Sequence, residues 1–377
     1  DFTTSRASVA TRVNENGLIE EVASNVPRLD YSDGSCPSLL LEPTATNILT
    51  YSEDFSNVAW VKTGSSVTSG FTSPKGDLSA FKLVEDTANS EHLIKIRIDT
   101  SSSFLSNSIF VKAEEVTKIG ISESGTTGDY ASFDLSNGVL IASGGNPSFS
   151  IKEMSNDWYR ISLTSNSQLS RNDFNLALLP DDYVSGIPYT QNYQGNGTSG
   201  IYIFGAQIEE GSYATSYIKT VGTAQTRVAD IANKTGLTNL IGQSEGTILV
   251  DVDFKTLSGT NMFLSIRPDA SSKIEIYRGD AAIYGELTSN ASFNFNKPIV
   301  TIGRYKIAIV YSSGYSAMYI NGVIIGSNTA TFEFASTFDD IYINSRGTTF
   351  IEQSNYKDVR VYTTALSDAE LTTLTTI

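Results

Sequence analysis

Apolar and polar residues alternate over short stretches of this chain, which is the pattern of half-buried β-strands. In residues 92–98 (HLIKIRI), isoleucines occupy every second position from 94 onward, with lysine and arginine between them. The same kind of strand pattern recurs in residues 157–164, 201–208 and 246–254. Long runs of Ala, Leu, Glu and Lys are absent, so the sequence predicts an all-β chain rather than a helical bundle.

Turn signals separate these predicted strands. An Asn-Gly pair at 137–138 suits a type I′ hairpin turn, and a second pair at 321–322 predicts another hairpin. Near the end of the sequence, Ser367 and Glu370 have the spacing of a capping box, which predicts one short helix.

The strand patterns group into two domains. Short strands separated by turns are typical of sandwiches and jelly rolls. We therefore predict two jelly-roll β-sandwich domains, residues 50–220 and 231–377, joined by a linker over 221–230. Residues 1–49 contain extended pieces but too few apolar positions for a core of their own, and they are predicted to form an extended N-terminal docking segment.

Composition and charge exclude several classes of partner. The 377 residues carry a net charge of −15, which repels a phosphate backbone, so nucleic acid is not expected as a partner. No apolar stretch approaches the roughly 20 residues of a membrane span, so membrane insertion is not expected. The sequence begins with Asp rather than Met, and we expect it to be part of a longer or trimmed protein.

Candidate catalytic chemistry is sparse. His92 is the only histidine and Cys36 the only cysteine, so an intramolecular disulfide and a thiolate metal cluster are both excluded. Most acid–base chemistry in proteins uses histidine, and no nucleophile motif lies near His92, which is therefore predicted to be structural. Tyrosine could serve as the base of a polysaccharide lyase, but no constellation is singled out.

Two acidic pairs are candidates for calcium binding, because Ca²⁺ takes carboxylate oxygens. They are Asp181 with Asp182, and Asp339 with Asp340. Neither pair lies in a loop of spaced ligands, so solvated turn charges are the favoured interpretation and structural calcium the alternative. No other cofactor is expected.

The polar loop over residues 179–199 is the predicted sugar-contacting segment, because long polar loops often carry function. It contains Tyr189, Tyr193 and Asn196, whose rings and amide suit saccharide contacts. The two tryptophans of the chain are instead predicted to be core residues, since aromatic rings supply much of the buried area of a core.

Several separate blocks in residues 1–230 resemble a family of bacteriophage and prophage virion proteins. The blocks are PRLDY, LLLEPTATNIL, YSEDFSNVAWVKTG, DWYRISLT and IYIFGAQIEEGSYATSYIKT. The resemblance implies a carbohydrate-binding-module-like jelly roll in a structural or tail-fibre-like protein. It also implies location in the virion, contact with other virion proteins and a homo-oligomer.

Residues 231–377 resemble the concanavalin A-like and laminin-G-like superfamily, in the blocks GTILVDVDF, MYINGV and YKDVRVYTTALSDAEL. That fold hosts lectins, glycosidases and spacers. Its glucanases place paired carboxylates on a Glu-x-Asp-x-Glu strand, and retaining enzymes need two carboxylates about 5–5.5 Å apart. Asp251 and Asp253 lack the outer glutamates, so they are predicted to be solvent-facing strand residues rather than catalytic ones.

The resulting functional hypothesis is a non-enzymatic phage surface protein, either tail fibre, spike or head decoration, that contacts host surface glycans. A purely structural virion component and a polysaccharide depolymerase are the alternatives.

Two short, similar segments of the sequence add one structural hypothesis. ATRV at 10–13 resembles QTRV at 225–228, which suggests that Arg12 and Arg227 lie near each other. Their predicted carboxylate partners are Asp30, Glu42 and Asp230, because the guanidinium fork matches a carboxylate.

Overall fold

The computed structural model of the protein describes residues 2–100, 102–123, 128–166, 172–184, 189–257, 259–279, 282–290, 292–298 and 301–377. Within these residues the chain is all-β apart from one turn of 3-10 helix, Ser155–Asp157, and one α-helix, α1, Asp368–Thr375. No helix of the described residues is long and apolar enough to cross a membrane. The predicted all-β class is confirmed.

The strands of the first half are β1 Thr3–Ser5, β2 Ala10–Val13, β3 Ile19–Val22, β4 Leu29–Asp30, β5 Ser38–Leu41, β6 Ala45–Asn47, β7 Val61–Thr63, β8 Ser65–Phe71, β9 Ala80–Glu85, β10 Asn89–Ser90, β11 His92–Ile98, β12 Leu105–Ala113, β13 Lys118–Ser122, β14 Tyr130–Asp134, β15 Val139–Gly144, β16 Ser148–Glu153 and β17 Trp158–Ser165. Those of the second half are β18 Asn172–Leu179, β19 Tyr193–Gln194, β20 Gly200–Glu210, β21 Gln225–Arg227, β22 Ile231–Lys234, β23 Gly246–Phe254, β24 Asn261–Ile266, β25 Lys273–Gly279, β26 Ala282–Thr288, β27 Ser292–Pro298, β28 Gly303–Ser312, β29 Tyr315–Ile320, β30 Val323–Asn328, β31 Ile341–Ile343 and β32 Ser354–Tyr362.

The chain divides into two compact units. The middle unit comprises Ala10–Glu21 and Ala45–Arg227, and the C-terminal unit comprises Asp1–Val9, Val22–Thr44 and Val228–Ile377. Each is a jelly-roll β-sandwich with its own core, as the strand patterns predicted.

In the middle unit, one sheet has the order β15-β14-β13-β18-β11-β7. The other has the order β16-β17-β12-β20-β6-β21, with β9 and β8 attached through β20. Alternate residues of both sheets fill the core, and they include Ile94, Ile109, Phe174 and Ile203. Both tryptophans are buried, as predicted, Trp60 in this core and Trp158 in a smaller hydrophobic cluster with Phe110 and Phe204.

In the C-terminal unit, one sheet has the order β1-β22-β31-β24-β25-β26-β27 and the other β30-β29-β28-β23-β32-β5-β4. The core between them includes Ile248, Phe263, Ile276 and Ile343. Helix α1 packs through Leu371 on the outward side of the second sheet. Its N-cap is Ser367 with the complete capping box, as predicted.

The first 49 residues do not form a separate segment in the structure. Strands β1, β4 and β5 complete sheets of the C-terminal unit, and β2, β3 and β6 lie in or at the border of the middle unit. The chain over residues 221–230 is also partly strand, because β21 pairs with β6. Each of these strands is short and lies at or near a sheet edge. Strand β5 is nevertheless apolar, and its Leu41 lies in the core of the C-terminal unit.

Both hairpin turns lie where the sequence predicted them, but the turn type predicted for residues 137–138 differs. Residues 321 and 322 both have positive φ, as a type I′ turn requires. At 137–138 the prediction of a type I′ turn is wrong, because only Gly138 has positive φ. The Asp134 carboxylate accepts hydrogen bonds from Ser136 N and Asn137 Nδ2, which stabilises a four-residue loop between β14 and β15 instead.

The predicted arginine partners are also corrected. Arg12 binds Glu20, with 2.6 Å between Nε and Oε1, and Arg227 is buried and donates to Thr215 Oγ1 and Ser216 Oγ. Neither arginine binds the expected carboxylates in the contacts described.

Two other arginines use those carboxylates, in a cluster within the C-terminal unit. Arg6 donates to Asp230 at 2.8 Å, and Arg28 donates to both Asp230 and Glu42. All four side chains are almost completely buried. Two guanidiniums and two carboxylates give a neutral cluster, which is the form in which buried charge is tolerated.

Candidate functional site

Tyr189 lies against the outward side of the six-stranded sheet in the middle unit, not in solvent. It is 5% exposed and packs with Leu93, Ala177 and Tyr130. Gly120 in β13 permits this approach, because a Cβ there would lie 2.2 Å from the carbonyl oxygen of Tyr189. Burial raises the pKa of the Tyr189 hydroxyl. This loop therefore covers the sheet, and the Tyr189 ring presents no free face to a sugar.

The other two predicted sugar contacts already have hydrogen-bond partners within the protein. The Tyr193 hydroxyl donates to Glu85 Oε2 at 2.6 Å, and burial followed by this carboxylate raises the Tyr193 pKa. Asn196 Oδ1 accepts from the backbone N–H groups of Thr198 and Ser199, so its amide closes a turn. The arrangement gives both side chains a structural role.

We predict that Gly120→Ala destabilises the middle unit by about 1–3 kcal/mol, because the added methyl group overlaps the Tyr189 backbone. Urea unfolding gives the free energy, and protease cleavage near residues 189–194 reports release of the loop. Gly211→Ala is the matched control, since its nearest atom would be Tyr213 O at 3.9 Å. Equal stability of the two variants would show that the loop does not depend on this contact.

The acidic pairs have ordinary structural surroundings. Asp181 and Asp182 are exposed. The Asp339 carboxylate accepts from Thr238 Oγ1 and from backbone N–H groups, which lowers its pKa. Burial raises the pKa of the neighbouring Asp340. Among the described residues no group of three His, Cys, Asp or Glu side chains could hold a metal ion; calcium at either pair stays a prediction.

Asp251 differs from its prediction as a solvent-facing residue. It is buried and receives two hydrogen bonds from Arg304, at 2.8 and 2.6 Å. Its strand β23 lies between β28 and β32, so a charged side chain there needs a partner on a neighbouring strand. Asp253 pairs with Lys255 at 2.7 Å.

His92 has the surroundings of a structural residue. Its ring is buried, and both ring nitrogens contact backbone carbonyl oxygens, Gly64 O at 2.5 Å and Tyr193 O at 3.1 Å.

The strongest candidate site lies on the outward side of the first sheet of the C-terminal unit. In β25 (KIEIYRG), Ile274 and Ile276 face the core, so Lys273, Glu275 and Tyr277 face outward. The same alternation in β26 (AIYGELT) and β31 (IYI) turns further tyrosines outward. We call this surface the tyrosine–arginine face, comprising Ser265, Arg267, Lys273, Glu275, Tyr277, Tyr284, Glu286, Tyr342, Arg346 and Phe350.

Strand register brings its polar residues into one row. Ser265 lies opposite both Tyr342 and Glu275, and Glu275 lies opposite Glu286. Two like charges in direct opposition are unfavourable. Lys273 lies between them, with its Nζ 2.7 Å from Glu286 Oε1 and 3.7 Å from Glu275 Oε2.

Glu275 is the centre of this row and is fully buried. Ser265 Oγ donates to its Oε1 at 2.9 Å, and an Arg346 terminal nitrogen donates to its Oε2 at 2.6 Å. A terminal nitrogen of Arg267 lies 3.8 Å from Oε1. The two arginine side chains remain 28–30% exposed, so a buried carboxylate orients donors that still reach solvent.

The aromatic part of the face adjoins this row. Tyr277 lies opposite Tyr284, and their rings stack with centroids 5.1 Å apart and 17° between planes. The Tyr284 ring lies over Gly279, where a Cβ would be 3.0 Å from its Cε2. Burial, and then the Glu286 and Glu275 carboxylates, raise the Tyr277 pKa. The Arg346 guanidinium lies 5.1 Å from the Phe350 ring centroid.

This arrangement is suited to binding. Tyrosine rings offer flat apolar surface with a polar tip, and the arginines and carboxylates offer fixed donors and acceptors. The other outward sheet surfaces are partly covered. In the C-terminal unit, α1 packs on the second sheet. In the middle unit, the loop of Tyr189 covers part of one sheet, and Ile19 and Tyr217 cover part of the other.

Comparison with known proteins gave matches among solved structures alone. No protein-family model matches the sequence, and no curated protein matches it. The carbohydrate-binding module CBM40 of the Ruminococcus gnavus IT-sialidase, bound to α2,3-sialyllactose, matches with 18% identity and a TM-score of 0.31, over 36% of this chain and 84% of that one.

Two further solved structures are similar at the same level. Domain 4 of AbnA, a GH43 extracellular arabinanase from Geobacillus stearothermophilus, in complex with arabinotriose, matches with 18% identity and a TM-score of 0.32, over 39% of this chain and 73% of that one. The receptor-binding domain of botulinum neurotoxin C/D mosaic serotype matches with 11% identity and a TM-score of 0.34, over 38% of this chain and 40% of that one. Matches of this size assign no function to the chain.

Proposed function

We propose that this protein is a non-catalytic glycan-binding protein and that the tyrosine–arginine face is its saccharide site. The observation that carries the proposal is the stacked, half-buried pair Tyr277 and Tyr284 beside donors oriented by the buried Glu275. Saccharides have apolar C–H faces and rims of hydroxyl groups, so a ring platform next to fixed donors and acceptors complements both.

Pre-organisation supports a binding role for the charged row. Glu275 is held by Ser265 and Arg346, and Lys273 is held by Glu286. Side chains already fixed in the free protein lose little conformational entropy when a ligand arrives, which favours affinity. Paired charges also offer a donor and an acceptor at neighbouring positions, the arrangement that adjacent sugar hydroxyls can use.

The finer proposal is a phage virion surface protein that contacts host surface glycans. It rests on the sequence resemblance of residues 1–230 to virion proteins, and with it we propose contact with other virion proteins and a homo-oligomer. The absence of catalysis is proposed because His92 and Asp251 are buried with structural partners.

A glycan array that includes bacterial surface polysaccharides tests the proposal. The intact protein is expected to bind a subset of saccharides, and Tyr284→Ala is expected to weaken that binding about tenfold, since loss of a ring contact costs about 1–1.5 kcal/mol. Tyr31→Ala, at a half-buried tyrosine between β4 and β5, is the matched control and should bind normally.

Binding that Tyr284→Ala leaves unchanged would place the saccharide site elsewhere. Absence of binding by the intact protein would favour the purely structural alternative, and shortening of a polysaccharide during incubation would favour the depolymerase.

A further inference from the structure

A separate cleft opens in the C-terminal unit, where the ends of β22 and β31 lie near the end of β32. Its volume is about 470 Å³, within the range of about 300–1,000 Å³ that small-molecule sites occupy. Leu237, Ile241, Val359 and Val361 form part of its apolar lining. None of its lining residues belongs to the tyrosine–arginine face.

Lys234 is the one charged residue among the residues that line this cleft. Its ammonium makes no ion pair or hydrogen bond within the part of the chain that the structure describes. Removing part of an ammonium group from water is costly, and an anionic partner offsets that cost. In a protein with a net charge of −15, an unpaired cation beside apolar side chains is complementary to an anionic group on an apolar ligand.

Two threonines add polar groups to the lining of the cleft. Thr363 and Thr364, which follow β32, line it together with Lys234. The lining therefore combines hydroxyl and ammonium donors with a larger set of apolar side chains. A ligand that matches this lining is amphiphilic, with an acid group that pairs with the Lys234 ammonium.

We propose that this cleft binds an aliphatic carboxylate, such as a free fatty acid. The alkyl chain packs against Leu237, Ile241 and Val361, and the carboxylate pairs with the Lys234 ammonium. The exposed Leu240 extends the apolar surface at the rim. This site is independent of saccharide binding, so either proposal can fail without the other.

Calorimetric titration of the full chain with octanoate, decanoate and dodecanoate tests the alkyl part. Affinity is expected to rise about fourfold with each added methylene, which corresponds to about 0.8 kcal/mol for each buried CH₂. Affinity that does not change with chain length, or no binding of dodecanoate below its solubility limit, would overturn the proposal.

Substitution of the lysine tests the carboxylate part. Lys234→Met is expected to reduce decanoate affinity about tenfold while leaving decanol affinity unchanged, and Lys234→Arg is expected to retain preference for decanoate. Lys297→Met, on β27 and outside the cleft, is the matched control. If Lys234→Met loses decanoate and decanol binding equally, the cleft of the variant is misfolded, which thermal unfolding checks. If the intact protein binds decanoate and decanol equally well, the ionic pairing is overturned.

Discussion

Replacing Asp230 with Ala is expected to destabilise the C-terminal unit by about 3–5 kcal/mol, the largest effect of any substitution considered. Asp230 accepts from Arg6 at 2.8 Å, from Arg28 and from the backbone N–H of Glu42 at 3.1 Å. Removing its carboxylate leaves two buried guanidiniums with one carboxylate, and an uncompensated buried charge costs far more than a lost surface pair.

Urea unfolding of the full chain, monitored by circular dichroism, measures this change in the free energy of unfolding. Arg12→Ala is the control, because the Arg12–Glu20 pair is partly exposed and its loss is expected to cost at most about 1 kcal/mol. Asp230→Asn keeps the shape but not the charge and should resemble Asp230→Ala. If both Asp230 variants cost no more than Arg12→Ala, the cluster does not stabilise the C-terminal unit.

Glu275→Gln is expected to destabilise the C-terminal unit by about 2–4 kcal/mol and also to weaken saccharide binding. Glu275 is fully buried with Arg346, Arg267 and Lys273 around it, so neutralising it leaves their charges less compensated. The effect is smaller than for Asp230 because these cations are partly exposed. Binding weakens because Arg346 loses the partner that orients it.

A double-mutant cycle with Arg346→Gln separates the pair from its surroundings. The double variant should lose less stability than the sum of the single variants, because the uncompensated charge is then absent. Glu286→Gln is the control on the same face, with an expected cost of about 1 kcal/mol or less, since Glu286 and Lys273 both reach solvent. Additive effects of Glu275→Gln and Arg346→Gln would contradict the proposed coupling.

Local patterns in the sequence predicted much of the fold. The alternation in HLIKIRI and GTILVDVDF identified β11 and β23, and the capping box identified α1, because each signal depends on neighbours within a few residues. The division of the first 49 residues between two units could not be predicted in this way. Thr3 pairs with Asn233, and Leu41 pairs with Ser354, and no periodicity within a short strand specifies such distant partners.

The candidate site was missed for the same reason. KIEIYRG and AIYGELT each place tyrosine and glutamate on one side of a strand, and that signal is present in the sequence. Only the register of β25 with β26 brings Tyr277 opposite Tyr284, and only the chain after β31 brings Arg346 to Glu275. The length and polarity of the loop around Tyr189 favour a sugar-contacting role in the sequence, but Gly120 allows this loop to lie against the sheet.

Hydroxyl-radical footprinting tests the location of the saccharide site most directly. The protein is oxidised with and without the saccharide that binds best on the array, and modification of each aromatic residue is measured by mass spectrometry. Saccharide binding at the tyrosine–arginine face predicts reduced oxidation of Tyr277, Tyr284 and Phe350, with Tyr193 unchanged. Protection of Tyr193 with no change at Tyr277 and Tyr284 would contradict it.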